Sequence, residues 1–250
     1  MFNFVFKEKI KKYIWNEKTY LSVILMWLYK LPKMGFVDAY KFVRDTKLFD
    51  IKFQIDTDNV VQTDESGYLV RGYDKLTLSS AQKVQSSNVH RYNLAIDFLK
   101  KYHKGNLKNI TFIDMGSGKG KVLILAKHDK FFNVIGVELS YSMIDITLHN
   151  LYNLDIKDVI VHECSAADYN FPGGELVIYL FNPFGKPIMD KVVSKILEHN
   201  YLVYEIYSNP VHATLFDNQE KIKAIYPENG SRDKSNKKLK IYQFIPCEMN

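Results

Sequence analysis

From residue 87 onward, short apolar runs alternate with longer amphipathic stretches. Ile110 to Met115, Asn133 to Glu138, Val159 to Val161, Leu176 to Phe181 and Leu202 to Tyr207 are rich in β-branched and aromatic residues. That is the composition of strands buried on both faces of a parallel sheet. Between them, Tyr92, Leu94, Ala95, Phe98 and Leu99 recur at helical spacing, as do Val122, Leu123, Leu125 and Ala126 within Lys121 to Lys130. A further helix is predicted near Ile188 to His199, and Leu239 to Phe244 alternates as an edge or penultimate strand. Alternating strands and helices predict an α/β architecture.

The first part of the chain reads differently. Met1 to Asp50 is rich in Lys and aromatic residues, and Tyr20 to Tyr29 is apolar on nearly every helical face. Such a run is expected to be buried, with Leu31-Pro32-Lys33-Met34-Gly35 ending the helix. About 20 residues are needed to span a bilayer, so no transmembrane segment is expected. No small-residue cleavage site follows, so a signal peptide is not expected either. The helix is expected to pack on the core or cap the site, with peripheral membrane contact as the alternative. From Phe49 to Ser87, Ile55-Asp56-Thr57-Asp58, Thr63-Asp64-Glu65-Ser66-Gly67 and Arg71-Gly72-Tyr73-Asp74 predict turns joined by short strands that border the site. The chain therefore divides into an N-terminal extension, residues 1–86, and a core, residues 87–250.

The chemistry concentrates where the first core strand ends. Phe112-Ile113-Asp114-Met115-Gly116-Ser117-Gly118-Lys119-Gly120-Lys121 is a strand, a glycine turn and a helix start, the arrangement that seats a nucleotide on a helix N-terminus. A P-loop needs four residues between its first glycine and Gly-Lys, followed by Ser or Thr; here three residues separate Gly116 from Gly120, and Val122 follows Lys121. The dinucleotide fingerprint needs two residues before its last glycine and this turn has one, while Asp114 would face a pyrophosphate in a low-dielectric turn. S-adenosylmethionine has no phosphate but carries an ammonium and a sulfonium, which an acid attracts. A second strand ends in Glu138, eighteen positions after Gly120, where an acid accepts ribose hydroxyls.

These residues resemble the class I S-adenosylmethionine-dependent methyltransferases, in which Asp-x-Gly-x-Gly-x-Gly closes the first strand and an acid closes the second. The resemblance implies a Rossmann-like seven-stranded sheet with helices on both faces and the final strand inserted antiparallel. It also implies that Asp114, Gly116, Ser117, Gly118 and Gly120 hold the methionine and ribose portion, that Glu138 binds the ribose hydroxyls and that Leu139 lies against adenine. In His162-Glu163-Cys164-Ser165-Ala166-Ala167-Asp168, Ser165 and Ala166 fall where the family has an acid and a small residue beside the adenine. Ser165 replaces the acid, leaving the amine contact to it or to Asp168.

The fourth strand delivers Asn182-Pro183-Phe184-Gly185 at its carboxyl end, the edge where an open α/β sheet binds ligands. A side-chain carbonyl and a backbone carbonyl there can accept hydrogen bonds from a neutral amine, an aromatic face can hold a cation, and proline offers no competing donor. Asn182, Pro183 and Phe184 are the expected catalytic residues. With Asp-Met-Gly-Ser-Gly-Lys-Gly and Gly-Val-Glu, this turn is similar to the seven-strand histone-lysine methyltransferases that lack a SET domain and to bacterial proteins labelled by analogy with them. The resemblance implies N-methylation of a protein lysine; RNA base N-methylation and a non-catalytic binding module on the same fold are the alternatives. Phe181, Phe184, Tyr179 and Tyr207 are the aromatic walls that would lower a lysine pKa by burial.

Composition adds little that conflicts. The net charge of +6 is compatible with nucleic acid, a ribosome or an acidic membrane face without requiring one. Lysines are scattered, apart from a basic stretch at Ser231 to Lys240 expected to be a solvated loop. Two cysteines, Cys164 and Cys247, and seven histidines give no metal-ligand spacing, so no metal is expected and a reducing, cytoplasmic setting is.

Overall fold

The computed structural model describes residues 17–57, 87–103, 106–181, 184–227 and 238–246. Asn182, Pro183, residues 58–86, residues 231–237 of the basic stretch and Cys247 lie outside the described residues. The N-terminal part contains α1 (Glu17–Met34), α2 (Phe36–Val43), a π-helical turn (Arg44–Leu48) and α3 (Phe49–Phe53). The rest runs α4 (Val89–Tyr102), β1 (Thr111–Met115), α5 (Lys121–His128), β2 (Asn133–Glu138), α6 (Tyr141–Asn153), β3 (Val159–Glu163) and β4 (Leu176–Phe181). It ends with α7 (Lys186–Leu197), β5 (Val203–Ser208), α8 (Thr214–Asp217), β6 (Ile222–Tyr226) and β7 (Leu239–Phe244).

All seven strands join one sheet in the order β3-β2-β1-β4-β5-β7-β6. The first five are parallel, and β7 inserts antiparallel between β5 and β6. The chain winds outward from β1 to β3 and then returns to β4 on the other side of β1. The carboxyl ends of β1 and β4 therefore adjoin at the point where strand order reverses, the place where such sheets open a ligand crevice.

Strand alternation sorts the core into two layers. Ile113, Met115, Ile178, Leu180 and Tyr207 face Met189, Val192 and Val193 of α7 and Phe216 of α8. On the opposite face, Phe112, Val134, Val177, Tyr179 and Ile206 pack against Tyr92, Ile96 and Leu99 of α4 and Val122, Leu123 and Ala126 of α5. A smaller cluster of Phe49, Ile55, Ile124 and Leu151 attaches the N-terminal part to α5 and α6. Glu205 sits on β5 in register with Ile178 and Tyr242, fully buried, with both carboxyl oxygens lacking a hydrogen-bond partner.

Helix α1 ends within the expected segment, at Met34 before Gly35 with φ +78°; Pro32 is accommodated in its last turn, since a proline removes one N–H but does not forbid the next turn. Other expectations about elements change. The run Tyr20 to Tyr29, expected to be buried, exposes Ile24, Leu25 and Leu28. Helix α6 and strand β6 add to the sequence-predicted elements. Among the described residues, no helix is long and apolar enough to cross a membrane.

Candidate active site

The turn after β1 is built by backbone conformation. Gly116, Gly118 and Gly120 have φ of +84°, +52° and +80°, a region in which a side chain is strained. Gly116 and Ser117 both donate their N–H groups to the Val137 carbonyl, at 2.8 and 3.1 Å, stitching the turn to β2. Gly136 leaves room for this approach, because a Cβ there would come within 2.8 Å of both Ser117 Oγ and Leu123 Cδ1. At Gly118, by contrast, a Cβ would project into open space.

Helix α6 holds the outer side of the turn. Thr147 donates its hydroxyl to the Gly118 carbonyl at 2.8 Å, and Asn150 donates to the Lys119 carbonyl at 3.0 Å. The same Asn150 amide also reaches back to Asp56, donating to its carbonyl at 2.9 Å and accepting from its N–H at 3.0 Å. Lys119, buried, extends its ammonium to Asp56 at 3.0 Å. Next to it, the Asp50 carboxylate accepts from the Thr57 N–H at 2.8 Å and from the Thr57 hydroxyl. The segment Ile55-Asp56-Thr57 thus borders the glycine turn, on the side away from the sheet.

Two acids close the inner side. Glu138 accepts from the Gly118 N–H at 2.8 Å through Oε2, and from the Leu139 and Ser140 N–H groups at 2.9 and 2.8 Å through Oε1. Burial raises its pKa, and these backbone donors offset only part of the rise. Asp114, buried, is pushed well above the usual carboxylate range by desolvation and by the nearby Glu138. Two acids placed together in low dielectric stabilise any cation that reaches them.

On the other side of Asp114, the register pairs it with Tyr179 of β4. Burial and Asp114 push the Tyr179 phenol up to about 12, and the Ser87 and Ser208 hydroxyls pull it part of the way back. No hydrogen bond of good geometry closes on Tyr179 Oη or Ser208 Oγ, nor on Ser117 Oγ in the turn. Among the described residues these three hydroxyls have no partner of good geometry, with Ser117 Oγ turned toward Gly136 and Leu123.

Of the predicted site residues, Asp114, Gly116, Ser117, Gly118, Gly120, Glu138 and Leu139 come together at the ends of β1 and β2. Ser165 and Ala166 are buried on the loop after β3, where Ser165 accepts from the Ala167 N–H at 3.2 Å and its carbonyl starts a turn through Asp168 and Tyr169. Phe184 packs half-buried against the layer under α7. The four aromatics read as walls fall in two layers: Tyr179 and Phe181 lie under α4, Tyr207 and Phe184 under α7. Strand alternation separates them. Sequence reading missed Thr147, Asn150 and Ser208; the first two lie on α6, a helix the sequence reading did not include.

No protein-family model matches the sequence, and no curated protein sequence matches it. Among solved structures, the chain is similar to a candidate RNA methyltransferase from Pyrococcus horikoshii, with 16% identity over 71% of this chain and 93% of that one and a TM-score of 0.48. It is also similar to a candidate methylase from Haemophilus influenzae, with 15% identity over 62% and 99% of the two chains and a TM-score of 0.47. A ribosomal protein L11 methylase from Lactobacillus delbrueckii subsp. bulgaricus gives 14% identity, 64% and 80% coverage and a TM-score of 0.45. At these identities the meaning of each side chain rests on the geometry of this chain.

Proposed function

We propose that the chain is an S-adenosylmethionine-dependent N-methyltransferase acting on a protein lysine side chain. The observation that carries the cofactor is a pair of acids, buried Asp114 and half-buried Glu138, bracketing a glycine turn whose open side is at Gly118. A ligand with an ammonium, a sulfonium and a ribose meets two acids there, and its positive charge favours the ionised carboxylates that burial disfavours. When bound, S-adenosylmethionine supplies an electrophilic methyl group on its sulfonium. The chain's own residues then orient and desolvate. Asp114 and Glu138 hold the cationic and ribose parts, and the Gly116–Gly120 backbone allows close approach.

The lysine reading rests on the Asn182-Pro183-Phe184-Gly185 turn and its resemblance to the lysine methyltransferases without a SET domain. Asn182 would accept a hydrogen bond from a neutral amine and so orient its lone pair, and Phe184 would line the approach. Orientation of this kind is worth up to about 7 to 11 kcal/mol of a barrier.

Thermal melts with S-adenosylhomocysteine, S-adenosylmethionine and NAD, on wild type and Asp114→Ala, test the cofactor. A ligand at about 100 times its dissociation constant adds roughly 2.7 kcal/mol, and the shift should appear with both adenosyl thioethers and vanish in the variant. A shift with NAD alone overturns the reading. Incubation of cell extract with methyl-labelled S-adenosylmethionine tests the substrate: label is expected in polypeptide as methyl-lysine, and label confined to RNA replaces the lysine proposal with base methylation.

A further inference from the structure

The first fifty residues carry ten Lys and Arg against five Asp and Glu, and within them the two helices, residues 17–43, carry four Lys against Glu17 and Asp38, a net +2. Those fifty residues also hold both tryptophans, Trp15 and Trp27. Within them, α1 and α2 each present an apolar stripe at i, i+1, i+4 spacing. Ile24, Leu25 and Leu28 form the first, and Phe36, Val37 and Tyr40 the second, each 50 to 65% exposed. The Trp27 and Phe36 rings meet edge to face at 5.4 Å, joining the two stripes across the bend at Gly35.

We propose that the α1–α2 hairpin is a docking surface for an anionic lipid bilayer. Exposed aliphatic and aromatic stripes on a short, basic, aromatic-rich helical pair are what lets a helix lie in the interface, with its apolar stripe in the headgroup boundary and its lysines among anionic headgroups. An RNA partner would use the lysines but leave Ile24, Leu25, Leu28 and Val37 in water. At 18 residues α1 is about 27 Å long, enough to lie in the membrane plane, and it is not apolar enough to cross. The rest of the chain, close to neutral, is then held with the sheet above the lipid. This goes beyond the methyltransferase reading and does not depend on it.

The full chain is sedimented with vesicles of phosphatidylcholine alone and of phosphatidylcholine mixed with phosphatidylglycerol, while tryptophan emission is recorded. Because both tryptophans lie in this stretch, emission reports it without any substitution. The mixed vesicles should bind at least about tenfold more tightly than the neutral ones, with a blue shift that high salt reverses. Leu25→Glu with Leu28→Glu should abolish sedimentation while far-UV circular dichroism stays that of wild type. Absence of both sedimentation and blue shift overturns the proposal. So does binding to polyuridylic acid without binding to vesicles, or a dimer in light scattering that the double variant splits while wild type ignores lipid.

Discussion

Gly118 donates its backbone N–H to Glu138 Oε2 at 2.8 Å, so the acid that ends the second strand shapes the turn that ends the first. Glu138 accepts two more backbone N–H groups, and truncating it leaves three donors without their acceptor. Glu138→Ala is expected to cost about 1 to 3 kcal/mol of stability. It should also weaken S-adenosylhomocysteine binding at least about tenfold, the worth of one charge-assisted hydrogen bond. Denaturant unfolding and calorimetric titration measure the two effects; unchanged affinity would remove Glu138 from ligand binding.

Asp114 should leave a pH signature. Its carboxyl holds a proton in the folded state at pH values where the unfolded chain has released it, because burial and Glu138 raise it. The stability tied to that proton is complete below the ordinary Asp range and declines as pH rises through the raised folded value. Asp114→Asn is neutral throughout, so without ligand its melting temperature should gain on wild type as pH goes from 5 to 8. The same variant should lose the shift induced by S-adenosylhomocysteine. A difference independent of pH would show that Asp114 is ionised in the folded protein.

Steric room at Gly120 is set by α6. A Cβ there would sit 2.7 Å from Thr147 Cγ2 at a φ of +80°. Gly120→Ala is expected to cost about 1 to 3 kcal/mol through strain alone, and more with the clash. Adding Thr147→Ser removes the offending methyl, keeps the hydroxyl that reaches Gly118, and should recover part of the loss. No recovery in thermal melts would place the cost wholly in the backbone.

Asn150 ties three backbone groups of two distant segments together. Asn150→Leu leaves the Asp56 N–H and carbonyl and the Lys119 carbonyl without their amide partner, an expected loss of about 1 to 3 kcal/mol. The loss should be local: hydrogen exchange at residues 50–57 should accelerate while β1 and β4 stay protected. Uniform acceleration would make Asn150 a general core residue instead.

Glu205 presents the opposite case, a buried acid with no hydrogen-bond partner among the described residues. Desolvation pushes its carboxyl well above the usual range, among apolar neighbours under α7. Glu205→Met should stabilise the protein by about 1 to 3 kcal/mol, the typical cost of burying an unsatisfied polar group. Destabilisation would show that the carboxyl has a satisfied role in the folded state.

Much of the sheet was legible because its strands are short apolar runs whose burial leaves few polar positions. The glycine turn was legible too: Asp114 through Gly120 is contiguous, and its shape depends on backbone conformations that glycine alone adopts without strain. Glu138 followed from the same local logic, one strand later. What packs around these residues was not written in any one segment. The Asp56–Asn150 contact joins positions 94 apart, and Thr147 gains its role only when α6 lies across the turn. Tyr179 and Tyr207 read alike as aromatics, yet strand alternation sends them to opposite faces, where one borders Asp114 and the other fills a core. Nor did hydrophobicity decide the fate of Tyr20 to Tyr29, since burial needs a partner surface as well as an apolar side chain. Sequence determined the conformations that single residues permit; tertiary structure decided which side chains meet, because that depends on elements the local chain cannot see.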